Sequence, residues 1–422
     1  MKSKMQYSVC GDPVFTAEHE NGLRVFVCPK KGYSSAYAIL GTAYGSVHNC
    51  FRVPGEERPT EVPEGIAHFL EHKLFENENE DAFARYARTG ASANAYTSFD
   101  KTCYLFSCSQ NFEASLEILL DFVQSPYFTA ETVRKEQGII GQEIQMCLDD
   151  PERRVVWNLL EALYHNNPVR LDIAGTVQSI AQIDADLLYR CYHAFYRPEN
   201  MVLCVAGNVE ADAVFAMADR WIRSGRAEGK PESIFAEEPR QIVKNRVEQH
   251  FPVAVPLFQL GFKEQAASRV SSRRMVETDI LLELLASESS PLYRRLLDRG
   301  WINSTFGCEY FEGPGYAAVL FGGESREPDR AADEIKAEIT RLRREGIDPE
   351  TFECARRTVY GRAVSALGSA GAIANQMVEA AFSGRRFGEE IELVMHVTCE
   401  DVLRRLNEQL DERFSALSVV CR

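Results

Sequence analysis

Residues 68–72 read His68-Phe69-Leu70-Glu71-His72. A helix turns once in about 3.6 residues, so positions i, i+3 and i+4 lie on one face. On a helix, both imidazoles and the Glu71 carboxylate therefore point the same way. Two imidazoles one turn apart can grip a single divalent cation, with zinc–nitrogen bonds of about 2.0–2.1 Å. A carboxylate between them can take a proton from water activated by that ion. Such a site needs a third protein ligand and one open position. Glu136 and Glu143 offer the ligand, because they are seven residues apart and share one face of a helix predicted from about Glu131 to about Cys147. Either carboxylate can reach the metal, with the other holding a ligand imidazole in place. Two imidazoles and a carboxylate favour zinc.

The elements that must position these groups follow from periodicity and punctuation. An apolar-faced helix holds Ile66 to Phe75, with Pro63 and Gly65 at its mouth. A short helix, Asp81 to Thr89, stops at Gly90. Ala93 to Thr97 and Cys103 to Cys108 read as a hairpin turning through Phe99-Asp100-Lys101. Strands are predicted at Leu23 to Cys28, Ala36 to Ala43 and Met201 to Ala206, and helices at Arg154 to Tyr164, Asp184 to Phe195 and Asp212 to Ile222. Gly138 and Gly141, inside the long helix, predict close helix packing. The second half replays this order, with a strand at Leu257 to Phe262, a helix at Met275 to Ala286, a hairpin turning at Gly313-Pro314-Gly315 and a long helix at Pro349 to Leu367. In that register Glu136 falls opposite Ala355 and Glu143 opposite Arg362, so only the first half keeps the carboxylates. The division expected is 1–225 with the metal site, a Gly- and Pro-containing linker at 226–239, and 240–422 without metal ligands.

Composition narrows the alternatives. A chain of 422 residues is too long for one core. A net charge of −15 argues against a nucleic-acid footprint, which needs clustered Lys and Arg. The sequence shows neither a signal-peptide pattern at Met1 to Asp12 nor an apolar run of about 18 residues, so no membrane association is expected and the protein reads as cytoplasmic. The twelve cysteines form no Cys-x-x-Cys pair and read as reduced thiols. Ser287, Ser289 and Ser290 lack a Gly-x-Ser-x-Gly elbow, and there is no phosphate-binding Gly-x-x-x-x-Gly-Lys loop.

With these residues in view, the chain resembles the M16 (insulinase, or pitrilysin) family of zinc peptidases with the inverted His-x-x-Glu-His motif, in a half-length bacterial form. The resemblance rests on residues 68–72, on the Glu136-x6-Glu143 pair, on Gly90-Ala91-Ser92-Ala93-Asn94-Ala95-Tyr96-Thr97, on Phe195-Tyr196-Arg197-Pro198-Glu199-Asn200-Met201 and on Val205-Ala206-Gly207-Asn208. It implies an α+β fold of two homologous domains, each a mainly antiparallel sheet covered by helices, the M16/LuxS-like metallohydrolase fold. It implies one zinc ion per chain held by His68, His72 and Glu143, with Glu71 as general base and Glu136 supporting the site. Asn94 and Ala95 would pair with an extended peptide by strand addition. The activity implied is zinc-dependent hydrolysis of short or unfolded peptides; the alternative is a non-catalytic structural or peptide-binding subunit of an M16-type assembly. One departure bears on partners. Where active members carry an arginine and a tyrosine in the second domain, this chain has Leu297 and Asn303. That implies a heterodimer with a homologous subunit supplying the missing pair, or a homodimer.

Overall fold

The computed structural model of the chain describes residues 1–78, 80–223, 229–265 and 270–422. Its larger sheets are built from β1 (Lys2–Val9), β2 (Asp12–Glu18), β3 (Arg24–Pro29), β4 (Ala36–Thr42), β5 (Ser92–Thr97), β6 (Thr102–Cys108), β7 (Met201–Gly207), β8 (Arg246–His250), β9 (Leu257–Lys263), β10 (Gly307–Gly313), β11 (Tyr316–Glu324) and β12 (Ser415–Cys421). The helices that matter below are α1 (Ile66–Leu74), α2 (Ala82–Thr89), α3 (Phe112–Phe122), α4 (Ala130–Leu148), α5 (Pro151–Leu163), α6 (Ser272–Ala286), α7 (Pro349–Ala366) and α8 (Ala370–Ser383).

The chain forms two compact units, and neither is continuous in sequence. The first comprises Met1–Ile144, Asp172–Ile234 and Ser365–Phe387; the second comprises Gln145–Leu171, Phe235–Val364 and Gly388–Arg422. The division expected from sequence, one linker between 225 and 240, differs from these units by two exchanged segments that carry α5 and α8. Residues 226–228 of that linker lie outside the described residues.

In the first unit the sheet order is β1-β2-β3-β7-β4-β6-β5, antiparallel throughout except for the β3/β7 pair. Strand side chains alternate between faces. Ala36, Ala38 and Leu40 of β4, with Met201, Leu203 and Val205 of β7, join a core that includes Phe69 and Leu70 of α1 and Leu116, Leu119 and Leu120 of α3. The alternate residues of β7, Val202, Cys204 and Ala206, are equally buried, because α8 lies against β7 and β4. A strand covered on both faces reads as a continuous apolar run, and Met201–Gly207 is buried at every position. Gly41 makes room for the helix: a Cβ there would stand 3.0 Å from Phe382 Cε2 and 3.0 Å from Cys103 Sγ.

The second unit repeats the arrangement in the order β8-β12-β9-β11-β10, again with one parallel pair, β8/β12. Phe258, Leu260 and Phe262 of β9 face its core, with Ile280, Leu281 and Leu285 of α6. The other face of β9 and β12 receives α5, and a Cβ on Gly261 would lie 2.9 Å from both Leu159 Cδ2 and Leu163 Cδ1. Each half of the chain thus lends one helix to the sheet built by the other half. The α+β class and the duplication match what the resemblance implies. The β1–β2 hairpin was not expected, and Gly138 and Gly141 face open space instead of a packed helix.

Candidate metal centre

Helix α1 presents its two faces differently because of its residue pattern. Ile66, Ala67, Phe69, Leu70 and Leu74 are buried, and His68, Glu71 and His72 line the half-exposed opposite face. Its first turn is set by Gly65, in the left-handed region at φ 89°. A Cβ at Gly65 would meet Ala174 O at 2.5 Å, and one at Gly175 would meet Glu64 O at 2.5 Å. The entry to α1 is therefore seated on a backbone contact that only glycines permit.

Helix α4 brings the carboxylates. Glu143 Oε1 lies 3.5 Å from His68 Nε2, and its Oε2 lies 3.5 Å from His72 Nε2. The three residues offer ligand atoms that all fall within 4.8 Å of one another, the one such cluster among the described residues. Tetrahedral zinc with bonds of about 2.0–2.1 Å spaces its ligand atoms about 3.3–3.4 Å apart, which the two 3.5 Å separations approach, while any wider one within the 4.8 Å limit has to close around the ion. Glu136 does a different job. It is buried, and its Oε1 accepts a hydrogen bond from His72 Nδ1 at 3.0 Å. A carboxylate can only accept, so the ring proton sits on Nδ1 and the Nε2 lone pair is left for a metal. His68 Nδ1 is buried and has no hydrogen-bond partner among the described residues; its ring plane lies at 60° to that of His72, with centroids 4.6 Å apart.

The site is strongly anionic. Burial disfavours a charged His72 ring, yet the hydrogen bond with Glu136 and the fields of Glu71, Glu143 and Glu136 outweigh it and raise the His72 pKa. Three carboxylates that together favour positive charge at this point are suited to a dication. Glu71 Oε2 accepts from Thr97 Oγ1 at 2.6 Å. Behind it, the phenols of Tyr104 and Tyr196 share a 2.8 Å hydrogen bond, and burial first, then each other and the charge of Glu71, keeps Tyr104 neutral. Sequence reasoning missed Thr97. The signal was the strand alternation that puts Ala95 and Thr97 on one face of β5.

β5 is the last strand of its sheet, paired among the described residues only with β6. Ala95 N–H donates to Asn94 Oδ1 at 2.9 Å, so this donor is not used in the ladder to β6. A peptide adding along this edge has to displace the Asn94 side chain from Ala95. The second unit carries no such cluster among its described residues. There, Arg362 of α7 forms an ion pair with Glu283 of α6, and Ala355 is buried. A guanidinium thus serves as a built-in cation in the half that lacks ligands. Of the two positions noted for their departure, Leu297 is exposed and Asn303 Nδ2 donates to Glu324 Oε2 at 2.5 Å. Arg295 beside them is committed to Glu334 and Glu338.

Comparison with known proteins gives the family and the fold. Residues 57–177 match the family described as Insulinase (Peptidase family M16), and residues 182–359 match the Peptidase M16 inactive domain. The chain is 38% identical over 431 residues to the Bacillus subtilis zinc protease YmfH, with 100% of this chain and 99% of that protein covered. A crystal structure of an M16-like peptidase from Alicyclobacillus acidocaldarius is 36% identical and superposes with a TM-score of 0.93, covering 100% of this chain and 99% of the other. A protease from Helicobacter pylori shares the fold at 21% identity, with a TM-score of 0.82 over 97% of this chain and 99% of its own. Among the described residues no helix is long and apolar enough to cross a membrane. With relatives named as zinc proteases aligned end to end, the chain belongs to the M16 (insulinase) family of peptidases.

Proposed function

We propose that this protein is a zinc metalloendopeptidase that hydrolyses short or unfolded peptides, its active site completed by a partner subunit. The observation that carries this reading is the convergence of His68, His72 and Glu143 within 4.8 Å beside the carboxylate of Glu71. Zinc supplies Lewis acidity at such a site, making water acidic enough to lose a proton near neutral pH and polarising a carbonyl oxygen. The chain's own residues do the rest. The substrate backbone adds to the free edge of β5 at Asn94 and Ala95, which selects an extended segment and favours backbone shape over side chain. Glu136 fixes the ring of His72 through Nδ1. Glu71, with Oε2 engaged by Thr97, takes the proton of the attacking water on Oε1 and passes it to the departing amine nitrogen. Hydrolysis of an internal peptide bond is the outcome.

Leu297 and Asn303 cannot supply the cation and phenol that resembling enzymes use on the developing oxyanion. A homologous subunit carrying that arginine and tyrosine completes the site in a heterodimer; a second copy of this chain brings the same Leu297 and Asn303 and cannot replace it. Two assays test the reading. Cleavage of an unstructured quenched-fluorescent peptide by the wild type must exceed that by Glu71→Gln by orders of magnitude; equal rates exclude the enzyme and leave a non-catalytic binding subunit. Full turnover by the isolated monomer excludes the partner.

A further inference from the structure

The strand proposed to receive the peptide also touches the proposed base. Thr97 closes β5, two residues after Ala95 and on the same face of the strand. Its hydroxyl lies 2.6 Å from Glu71 Oε2 and 3.2 Å from Thr102 Oγ1. Thr102 has its own acceptor, the carbonyl of Tyr44 at 2.8 Å. The single proton of Thr97 therefore goes to the nearer and charged acceptor, Glu71. No other hydrogen bond to Glu71 is present among the described residues, so the torsions of this side chain are fixed by one donor.

That donor is itself held firmly. The turn after Thr97 is closed by Ser98 N–H donating to Lys101 O at 2.8 Å and by Ser98 Oγ donating to Asp100 Oδ1 at 2.9 Å. Lys101, buried, binds Asp100 at 2.6 Å and Glu379 of α8 at 3.0 Å. On the opposite face of β5, Tyr96 OH donates to Asn375 Oδ1 of α8 at 3.0 Å. Strand and turn are thus anchored on both sides of Thr97.

We propose that Thr97 is the positioning residue of Glu71. It engages Oε2, leaves Oε1 as the oxygen that receives the proton, and ties the orientation of the base to the strand that docks the substrate. The inference rests on Glu71 being the general base. The hydroxyl of Thr97 is hydrogen-bonded to Glu71 and Thr102, and among the described residues not to any of the three metal ligands.

Thr97→Val, Thr97→Ser and Glu71→Gln, and Thr97→Val combined with Glu71→Gln, are compared in the zinc-loaded protein, with the homologous subunit present if turnover requires it. Loss of one hydrogen bond to a charged group predicts a kcat about ten- to a hundredfold lower in Thr97→Val, with KM within about twofold. Thr97→Ser keeps the donor and restores most of the loss. Zinc affinity, read by chelator competition, is unchanged in both variants. In the double variant Thr97→Val adds no further loss, and a crystal structure of Thr97→Val alone shows the Glu71 carboxylate turned from its wild-type rotamer. A wild-type kcat in Thr97→Val beside an inactive Glu71→Gln overturns the inference and leaves the base intact. Thr97→Ser as slow as Thr97→Val, or a zinc affinity that falls in step with kcat, overturns it as well. A fully active Glu71→Gln removes the base and this inference with it.

Discussion

Replacing Glu136 by glutamine removes one charge and almost nothing else, and it separates the roles of the two carboxylates on α4. The wild-type carboxylate accepts from His72 Nδ1 at 3.0 Å in a buried position. The amide oxygen of glutamine can still accept there, so the ring orientation is kept. What is lost is charge assistance, the difference between about 1.5–3 and about 0.5–1.5 kcal/mol for a hydrogen bond. This loss acts on metal affinity because a ring that has given its Nε2 pair to a cation donates more strongly through Nδ1. A difference of about 1–2 kcal/mol is a zinc affinity about five- to thirtyfold weaker, overlapping the lower part of the roughly ten- to hundredfold range known for partners of ligand histidines. The assay is competition between apoprotein and a chromogenic chelator near neutral pH. Glu143→Gln, which loses a ligand, is expected to weaken zinc by more than about a hundredfold, and Glu71→Gln to leave it unchanged. Glu136→Gln binding zinc as tightly as the wild type, or as poorly as Glu143→Gln, would refute the division of labour argued here.

Other expectations concern the elements that hold the site. Lys101→Met leaves the carboxylates of Asp100 and Glu379 facing each other; because Glu379 is half exposed, a loss of about 2 kcal/mol is expected, read as a lower Tm. Asp100 has a lowered pKa: its burial opposes this, but the Lys101 charge and the hydrogen bonds from Lys101 and Ser98 prevail. A carboxyl whose folded pKa is depressed stabilises the fold above its ordinary value and loses that contribution as pH falls through the folded one. The Tm of Asp100→Asn should therefore fall less steeply than that of the wild type below about pH 4. Gly261→Val drives side-chain atoms into Leu159 and Leu163 of α5, and about 1–3 kcal/mol of stability should be lost in chemical denaturation. Chelation should lower the Tm of the wild type and restore it on adding zinc back, since a ligand that binds only the folded state stabilises it by mass action.

The metal face of α1 was legible because helical spacing alone aligns residues 68, 71 and 72, and their apolar neighbours say which side is buried. The pair on α4 was legible as a pair. Spacing could not say which carboxylate would reach both Nε2 atoms, since Glu136 and Glu143 share a helix face; burial and distance distinguish them. Thr97 was hidden because it meets a glutamate on a different element: alternation sets it on the face of Ala95 but does not say that this face meets Glu71. The β1–β2 hairpin escaped notice because β1 lies at a sheet edge with most of its residues exposed, which removes the alternation that marks a half-buried strand. Of the two exchanged helices only α5 was expected; α8 was not, and the apolar face of a helix does not carry the address of the sheet it covers.

That exchange of helices has a consequence during synthesis. By the time Ile234 has been made, every strand of the first sheet exists, but the helix that shields one side of β4 and β7 lies within Ser365–Phe387. More than a hundred residues separate the two. At about 5–20 residues per second the ribosome needs on the order of ten to thirty seconds to supply it. Throughout that interval the nascent chain exposes Ile39, Val202 and Cys204 to water, a greasy window for a holdase chaperone. An expression product truncated at the linker would keep that window open permanently and should collect in the insoluble fraction.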